Sequence, residues 1–250
     1  MAVPLNGATT QYLIAVKRFA TPSNKKRLDA FLKEIRMMRL LDHKNLLKCI
    51  GVSVADGCID LITPFMSRGS LYTWLHRDCR GVPPPLHIAL KILIETAAGM
   101  AYLHSCAPRV IHRDLKSLNL LLTADLAVRV ADFGVSRELE HTDAMSRAGT
   151  LQWVAPEVML GQRYNHKCDV WSFGVVCWEL LTALTPFDGV NPIELSKKVH
   201  VDGLRLPPPS GAPLPLLKLM GSCWRKSAGR PEFSQLLVDL EKMQAGAGDS

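Results

Sequence analysis

Four side chains in the middle of the chain have the types and spacing for phosphoryl chemistry. In His112-Arg113-Asp114-Leu115-Lys116-Ser117-Leu118-Asn119 a carboxylate, a lysine and an amide lie within one short stretch. Asp132-Phe133-Gly134 adds a second carboxylate thirteen residues after Asn119. Moving the terminal phosphoryl group of a nucleotide onto a hydroxyl is catalysed mainly by positioning and charge stabilisation. It needs cations against the phosphates, hard oxygen ligands for a divalent metal, and a carboxylate beside the attacking hydroxyl. Asp114 is the candidate to orient that hydroxyl and accept its proton. Lys116 is the candidate to neutralise the transferring group. Asn119 and Asp132 offer oxygens of the kind Mg²⁺ or Mn²⁺ takes, and Gly134 permits the turn that presents Asp132. His112 and Phe133 read as packing residues. Taken singly, each would pass for a turn cap, a surface lysine or a turn amide. Their order and combination favour chemistry.

A second set lies upstream. Lys17 ends a strand that reads Tyr12-Leu13-Ile14-Ala15-Val16-Lys17. Glu34 sits in residues 28–41, where Leu28, Phe31, Leu32, Ile35 and Met38 keep helical spacing. An ion pair between Lys17 and Glu34 would aim the lysine at the α and β phosphates. Strands are expected near 48–54 and 59–65, with Asp56-Gly57 as their hairpin turn. Residues 66–70 are turn-like. Beyond them the pattern is mostly helical, with a short stretch at 71–75 and helices over 86–105, 169–182, 213–224 and 231–243. The helix over 169–182 is apolar almost all round, which predicts burial. Glu179 interrupts it.

The bulk numbers set bounds. The 250 residues, 48% hydrophobic and 21% charged, suit a globular chain with a sizeable core. The net charge is +7, but the basic residues are scattered apart from Lys25-Lys26-Arg27, so no nucleic-acid partner is expected. The seven cysteines form no CxxC pair and sit mostly in apolar runs, which predicts buried thiols in a reducing compartment. With no start resembling a signal peptide and no membrane-length apolar run, the expected location is the cytoplasm.

Further motifs follow in order. Ala155-Pro156-Glu157, Asp169-Val170-Trp171-Ser172-Phe173-Gly174, Cys223-Trp224 and Arg230-Pro231 are separated and ordered. With the catalytic stretch they resemble the eukaryotic protein kinases over nearly the whole chain. The resemblance implies an α+β fold of two lobes in one kinase domain. It would place a β-rich N-lobe over 1–63, a hinge over 64–69, a mainly helical C-lobe over 70–244 and a frayed tail over 245–250. It implies ATP and Mg²⁺ as cofactors, Asp114 as catalytic base, and Asn119 and Asp132 as metal ligands. Glu157 and Arg230 would form a structural salt bridge, and Asp169 would hold the backbone of the catalytic loop.

Lys116 and Thr150 are of serine/threonine-kinase type, and the Thr150 hydroxyl would bond Asp114 and Lys116. Trp153, Gly69-Ser70-Leu71 and the Cys223-Trp224…Arg230-Pro231 end look tyrosine-kinase-like. The mixture is similar to the tyrosine-kinase-like group, which includes Raf and mixed-lineage kinases. Serine/threonine specificity is therefore expected, with tyrosine as a weaker second activity. Aligned with the family's hinge, Leu61-Ile62-Thr63-Pro64-Phe65-Met66 makes Thr63 the gatekeeper. The adenine would then bond the Pro64 carbonyl and the Met66 backbone. Proline's missing N–H is no obstacle where the carbonyl is used. Arg113 would pair with a phosphate on the activation loop, with Thr142 and Ser146 as favoured sites and an upstream kinase as partner.

One family feature is missing. The pattern GxGxxGxV should precede the strand lysine, but Gly7 is the sole glycine before Lys17. Two readings stay open: a truncated piece of an active kinase, or a kinase-fold interaction module with impaired catalysis. Retention of all six of Lys17, Glu34, Asp114, Lys116, Asn119 and Asp132 favours the first. Low or absent activity is expected of the 250-residue piece itself, and activity of a version extended upstream.

Overall fold

The computed structural model describes residues 13–21, 24–133 and 151–246. The first layer comprises strand β1 (Ile14–Ala20), helix α1 (Lys25–Leu40), β2 (Gly51–Ala55) and β3 (Cys58–Pro64). The strands form an antiparallel sheet in the order β1-β3-β2. Between β2 and β3, Asp56 and Gly57 both have positive φ, 52° and 70°, the twist that a two-residue hairpin turn requires.

β3 buries alternate residues, among them Ile59, Leu61 and Thr63. Lys17 stands opposite Leu61, and Ala15 opposite Thr63. Directly opposed residues share a face, so Lys17 and Thr63 look to the same side of the sheet. Lys17 is not the strand's last residue as the apolar run suggests. Pairing with β3 continues through Arg18, Phe19 and Ala20, because the hairpin extends β3 down to Cys58.

β3 ends at Pro64, and β4 (Gly69–Ser70) follows. The Ser70 side chain accepts the Thr73 N–H and caps α2 (Leu71–Thr73), which runs into a π-helical turn over Trp74–Asp78. Helix α3 (Leu86–Ser105) has the bounds its pattern predicts. It is the one described helix long and apolar enough to cross a membrane, and half of that stretch is buried against the rest of this chain.

The sequence pattern is corrected beyond α3. Strands β5 (Leu120–Leu122) and β6 (Val128–Val130) form a hairpin that pairs with β4 in the order β4-β5-β6. Three residues are too few for a period of two to register. Helix α4 (Pro156–Met159) and helix α6 (Pro192–His200) are also absent from the pattern reading.

Helix α5 (Lys167–Thr182) is the axis of the larger layer, with every residue from Cys168 to Leu180 buried. Gly174 lets it touch helix α7 (Leu214–Cys223): a Cβ there would lie 2.8 Å from Cys223 Cβ and 2.7 Å from Trp224 Nε1. Helix α8 (Phe233–Gly246) packs along α3 and buries Phe233, Leu236 and Leu240. All seven cysteines are free thiols. Four are buried, while Cys58, Cys79 and Cys106 are half-buried, so burial is less complete than expected.

Candidate active site

The hairpin β5–β6 explains the thirteen-residue gap in the sequence. Asn119 ends a 3₁₀ turn (Ser117–Asn119) directly before β5, and Ala131-Asp132 directly follows β6. The hairpin closes where the Ala131 N–H donates to the Asn119 carbonyl at 2.9 Å. The two candidate metal ligands therefore emerge at the same end of one small sheet.

Asp114 is held by its neighbours. Lys116 Nζ lies 2.9 Å from its Oδ1 and 2.8 Å from its Oδ2. Asn119 Nδ2 donates to its Oδ2 at 2.9 Å and to its backbone carbonyl at 2.8 Å. Base, lysine and amide thus form one cluster, as their spacing suggests. His112 joins the loop to the hairpin. Its Nδ1 accepts the Asp114 N–H at 3.3 Å, and its Nε2 bonds the Ala131 carbonyl at 3.0 Å. His112 and Phe133 are both buried, with their rings edge to face, in keeping with packing roles.

The loop is anchored from below. Asp169, fully buried in the first turn of α5, accepts the Arg113 N–H at 2.8 Å and the His112 N–H at 2.9 Å. His104 Nε2, from α3, lies 2.9 Å from the same carboxylate. Burial pushes this carboxyl up, but the hydrogen bonds and charge of His104 and His112 outweigh it and hold the group below its usual range. Arg113 and Asp132 have φ of 68° and 59°, a left-handed geometry that non-glycine residues keep only where the surroundings impose it. The anchoring at Arg113 supplies that constraint. Arg113 also holds its Nε buried with no partner among the described residues.

From β1, Lys17 Nζ contacts Asp132 Oδ1 at 2.7 Å, with the two side chains 50% and 37% exposed. Thr63 is buried on the face shared with Lys17, and Pro64 and Met66 are half-buried just beyond it. The Met66 carbonyl accepts the Gly69 N–H at 3.0 Å. Farther off, Arg230 clasps Glu157 with both Nη atoms, the second bond at 2.9 Å.

The Glu34 side chain, Gly134, Thr142, Ser146 and Thr150 lie outside the described residues. The Lys17–Glu34 pair and the Thr150 bonds fall there with them, as does Gly7. Sequence reasoning missed the Ser117 and Trp153 contacts to Glu179 in α5. The signal was present, since Glu179 is the acid that breaks an apolar helix.

A family model described as protein tyrosine and serine/threonine kinase matches residues 2–240. The chain belongs to this protein kinase family. The chain is 36% identical to the probable serine/threonine-protein kinase SIS8 of Arabidopsis thaliana, over 92% of this chain and 23% of that protein. It is 36% identical to the probable serine/threonine-protein kinase drkA of Dictyostelium discoideum, over 93% of this chain and 36% of that one. It is 37% identical to the serine/threonine/tyrosine-protein kinase HT1 of A. thaliana, over 94% of this chain and 62% of that one. The chain thus spans less than two thirds of each of these relatives. Family membership fits the α+β architecture, with a small sheet above a mainly helical body.

Proposed function

We propose that this kinase transfers the γ-phosphoryl group of ATP to serine and threonine hydroxyls of proteins. The observation that carries the reading is the Asp114–Lys116–Asn119 cluster, hung by its backbone from buried Asp169 and set beside the strand end that presents Asp132. In this reading Asp114 orients the acceptor hydroxyl and takes its proton as the oxygen attacks phosphorus. Lys116 offsets charge on the transferring group, and Lys17 binds phosphate oxygens from above. The chain's donors fit a hard divalent cation. Asn119 commits its amide N–H groups to Asp114, which leaves its oxygen for the cation, and Asp132 keeps Oδ2 clear of Lys17. A bound Mg²⁺ would offset phosphate charge. Thr63 would line the back of the adenine pocket, with Pro64 and Met66 at the hinge.

Serine/threonine acceptors are favoured by Lys116 and by the printed names of the relatives, with tyrosine as a weaker second acceptor. Arg113 Nε, buried with no partner among the described residues, supports Arg113 as the group that an activation-loop phosphate would engage. Seven free thiols support a cytoplasmic location. The test is Mg·ATP-dependent transfer to a generic basic protein, followed by phosphoamino-acid analysis. Phosphoserine and phosphothreonine lost in Asp114→Asn support the reading. Mainly phosphotyrosine refutes the specificity, and transfer undiminished in Asp114→Asn refutes the assignment of the base.

A further inference from the structure

We propose a second cation site, unlike the candidate Mg²⁺ ligands in its chemistry: His104, His166 and Glu232 bind one Zn²⁺ ion where the end of α3 meets the starts of α5 and α8. His104 is the last residue but one of α3, His166 directly precedes α5, and Glu232 directly precedes α8. One ring nitrogen of each histidine and a carboxylate oxygen of Glu232 lie within 4.8 Å of one another. Among the described residues no other three His, Cys, Asp or Glu side chains gather this way. Ligand atoms around one tetrahedral Zn²⁺ stand about 3.4 Å apart, so the set has little distance to close.

The decisive atom is His104 Nδ1. His104 is 6% exposed, and its Nε2 is held 2.9 Å from the Asp169 carboxylate. With Nε2 donating there, Nδ1 carries a lone pair, and it is buried with no hydrogen-bond partner among the described residues. A histidine that ligates a metal characteristically gives its other ring N–H to a carboxylate, the part Asp169 plays here. An ion pair between His166 Nε2 and Glu232 Oε2, 3.0 Å apart, accounts for less. Glu232 already has a cation in Lys167, whose Nζ lies 2.7 Å from Oε1, and the His104 lone pair stays unmatched. With Zn²⁺ bound, Lys167 keeps Oε1 while Oε2 turns to the ion. Two imidazoles and a carboxylate suit Zn²⁺, whereas Mg²⁺ takes oxygen ligands. The Glu232 side chain is 48% exposed, so water can fill the fourth position. Arg109 opposes the ion: its Nη1 lies 2.8 Å from Nδ1 and 2.6 Å from Nε2 of His166. It is exposed in the loop after α3 and swings away on binding. Through His104 the ion would bear on the carboxylate that holds the His112 and Arg113 backbone.

The experiment titrates Zn²⁺ into the untagged full chain, stripped with a chelator and kept reduced, and reads calorimetry and the melting temperature. One Zn²⁺ per chain should bind and raise the melting temperature, and excess Mg²⁺ should not displace it. His166→Ala and Glu232→Ala should each weaken binding at least about 100-fold, the upper end of what losing even a supporting partner costs. Both side chains reach solvent, so the two variants spare the deep core. Arg109→Ala should tighten binding several-fold, a gain that misfolding cannot imitate. Co²⁺ in place of Zn²⁺ should show ligand-field bands without a thiolate charge-transfer band, which separates the site from the seven free thiols. Four outcomes overturn it: no Zn²⁺ bound by the unaltered chain, affinity indifferent to His166→Ala and Glu232→Ala, weaker binding in Arg109→Ala, or a thiolate band at one equivalent of Co²⁺. None of these readouts involves phosphoryl transfer, so the site stands or falls apart from the activity proposed above.

Discussion

Two arginine–carboxylate pairs have similar geometry and opposite surroundings. In the sheet, Arg18 Nε and Nη2 each reach an oxygen of Asp60 at 2.7 Å, with the arginine side chain 69% exposed. In the helical body, both Nη atoms of Arg230 reach Glu157, with the arginine side chain 2% exposed. Solvent screens the first pair. The second has no water to fall back on, and Lys167 Nζ and Trp171 close around Arg230. The same contrast divides the candidate site. Asp114, Lys116 and Asn119 hang from carboxylates buried in α5, whereas Lys17 reaches Asp132 through a half-exposed contact. The floor is built to keep its shape, and the cation above it is free to re-aim.

The largest effect belongs to the floor. Asp114→Asn should lower transfer by about 10²–10⁴-fold, the range that general-base catalysis contributes, with an unchanged melting temperature. A large drop in melting temperature would mean that Asp114 holds the loop together and is no base. Next come the two arginine pairs. Glu157→Ala strands a buried guanidinium and should cost about 3–5 kcal/mol in denaturant unfolding. Asp60→Ala should leave the unfolding midpoint essentially unmoved. Equal losses would break the contrast between the two layers. Gly174→Ala probes the same body through packing alone. The added Cβ meets Cys223 and Trp224 at under 3 Å, which predicts a loss of about 1–3 kcal/mol.

How much of this was legible beforehand follows from the same physics. α3 and α5 announced themselves because long apolar periodicities reflect burial on one or all faces. The Asp56-Gly57 turn was readable because few residue pairs tolerate two positive φ values. The candidate site was readable as residue types in order, since phosphoryl transfer demands a fixed chemical set. The β5–β6 hairpin was not readable. Its strands are three residues each, and its pairing energy comes from contacts distant in sequence. Asn119 and Asp132 could be named as partners, but not the fold of the chain between them. The reach of Lys17 to Asp132 was hidden for the same reason, as were the Glu179 contacts, whose donors lie 62 and 26 residues away.

Titration should separate the layers by sign. Arg18 holds the Asp60 carboxyl below its usual value, so its contribution is present above the ordinary carboxylate range and is lost as pH falls through the depressed value. Glu179 runs the other way. Burial raises it from 4.5 to about 8, so across that window the folded chain keeps a proton that the unfolded chain has released. Stability should therefore decline as pH rises through this window and level off above it. Denaturant unfolding at steps between about pH 5 and 9 should show the decline, and Glu179→Gln should flatten it. An unchanged slope in Glu179→Gln would place the decisive titration elsewhere in the body.

A small effect on folding is also expected from the sheet face that carries Lys17 and Thr63. Lys17→Ala removes a contact whose two side chains are both more than a third exposed, so the unfolding free energy should shift by less than about 1 kcal/mol. Nucleotide affinity should fall nonetheless, because no other described residue of β1 on that face is cationic. Thr63→Met is subtler still. Thr63 is 7% exposed and shares Lys17's face of the sheet, so a longer side chain there would narrow the space behind an adenine while leaving Pro64 and Met66 unaltered. Binding of bulky ATP-competitive inhibitors should be lost, with the KM for ATP nearly unchanged. Equal loss of both would mean that the sheet cannot absorb the added volume, and that the upper layer is as rigid as the floor.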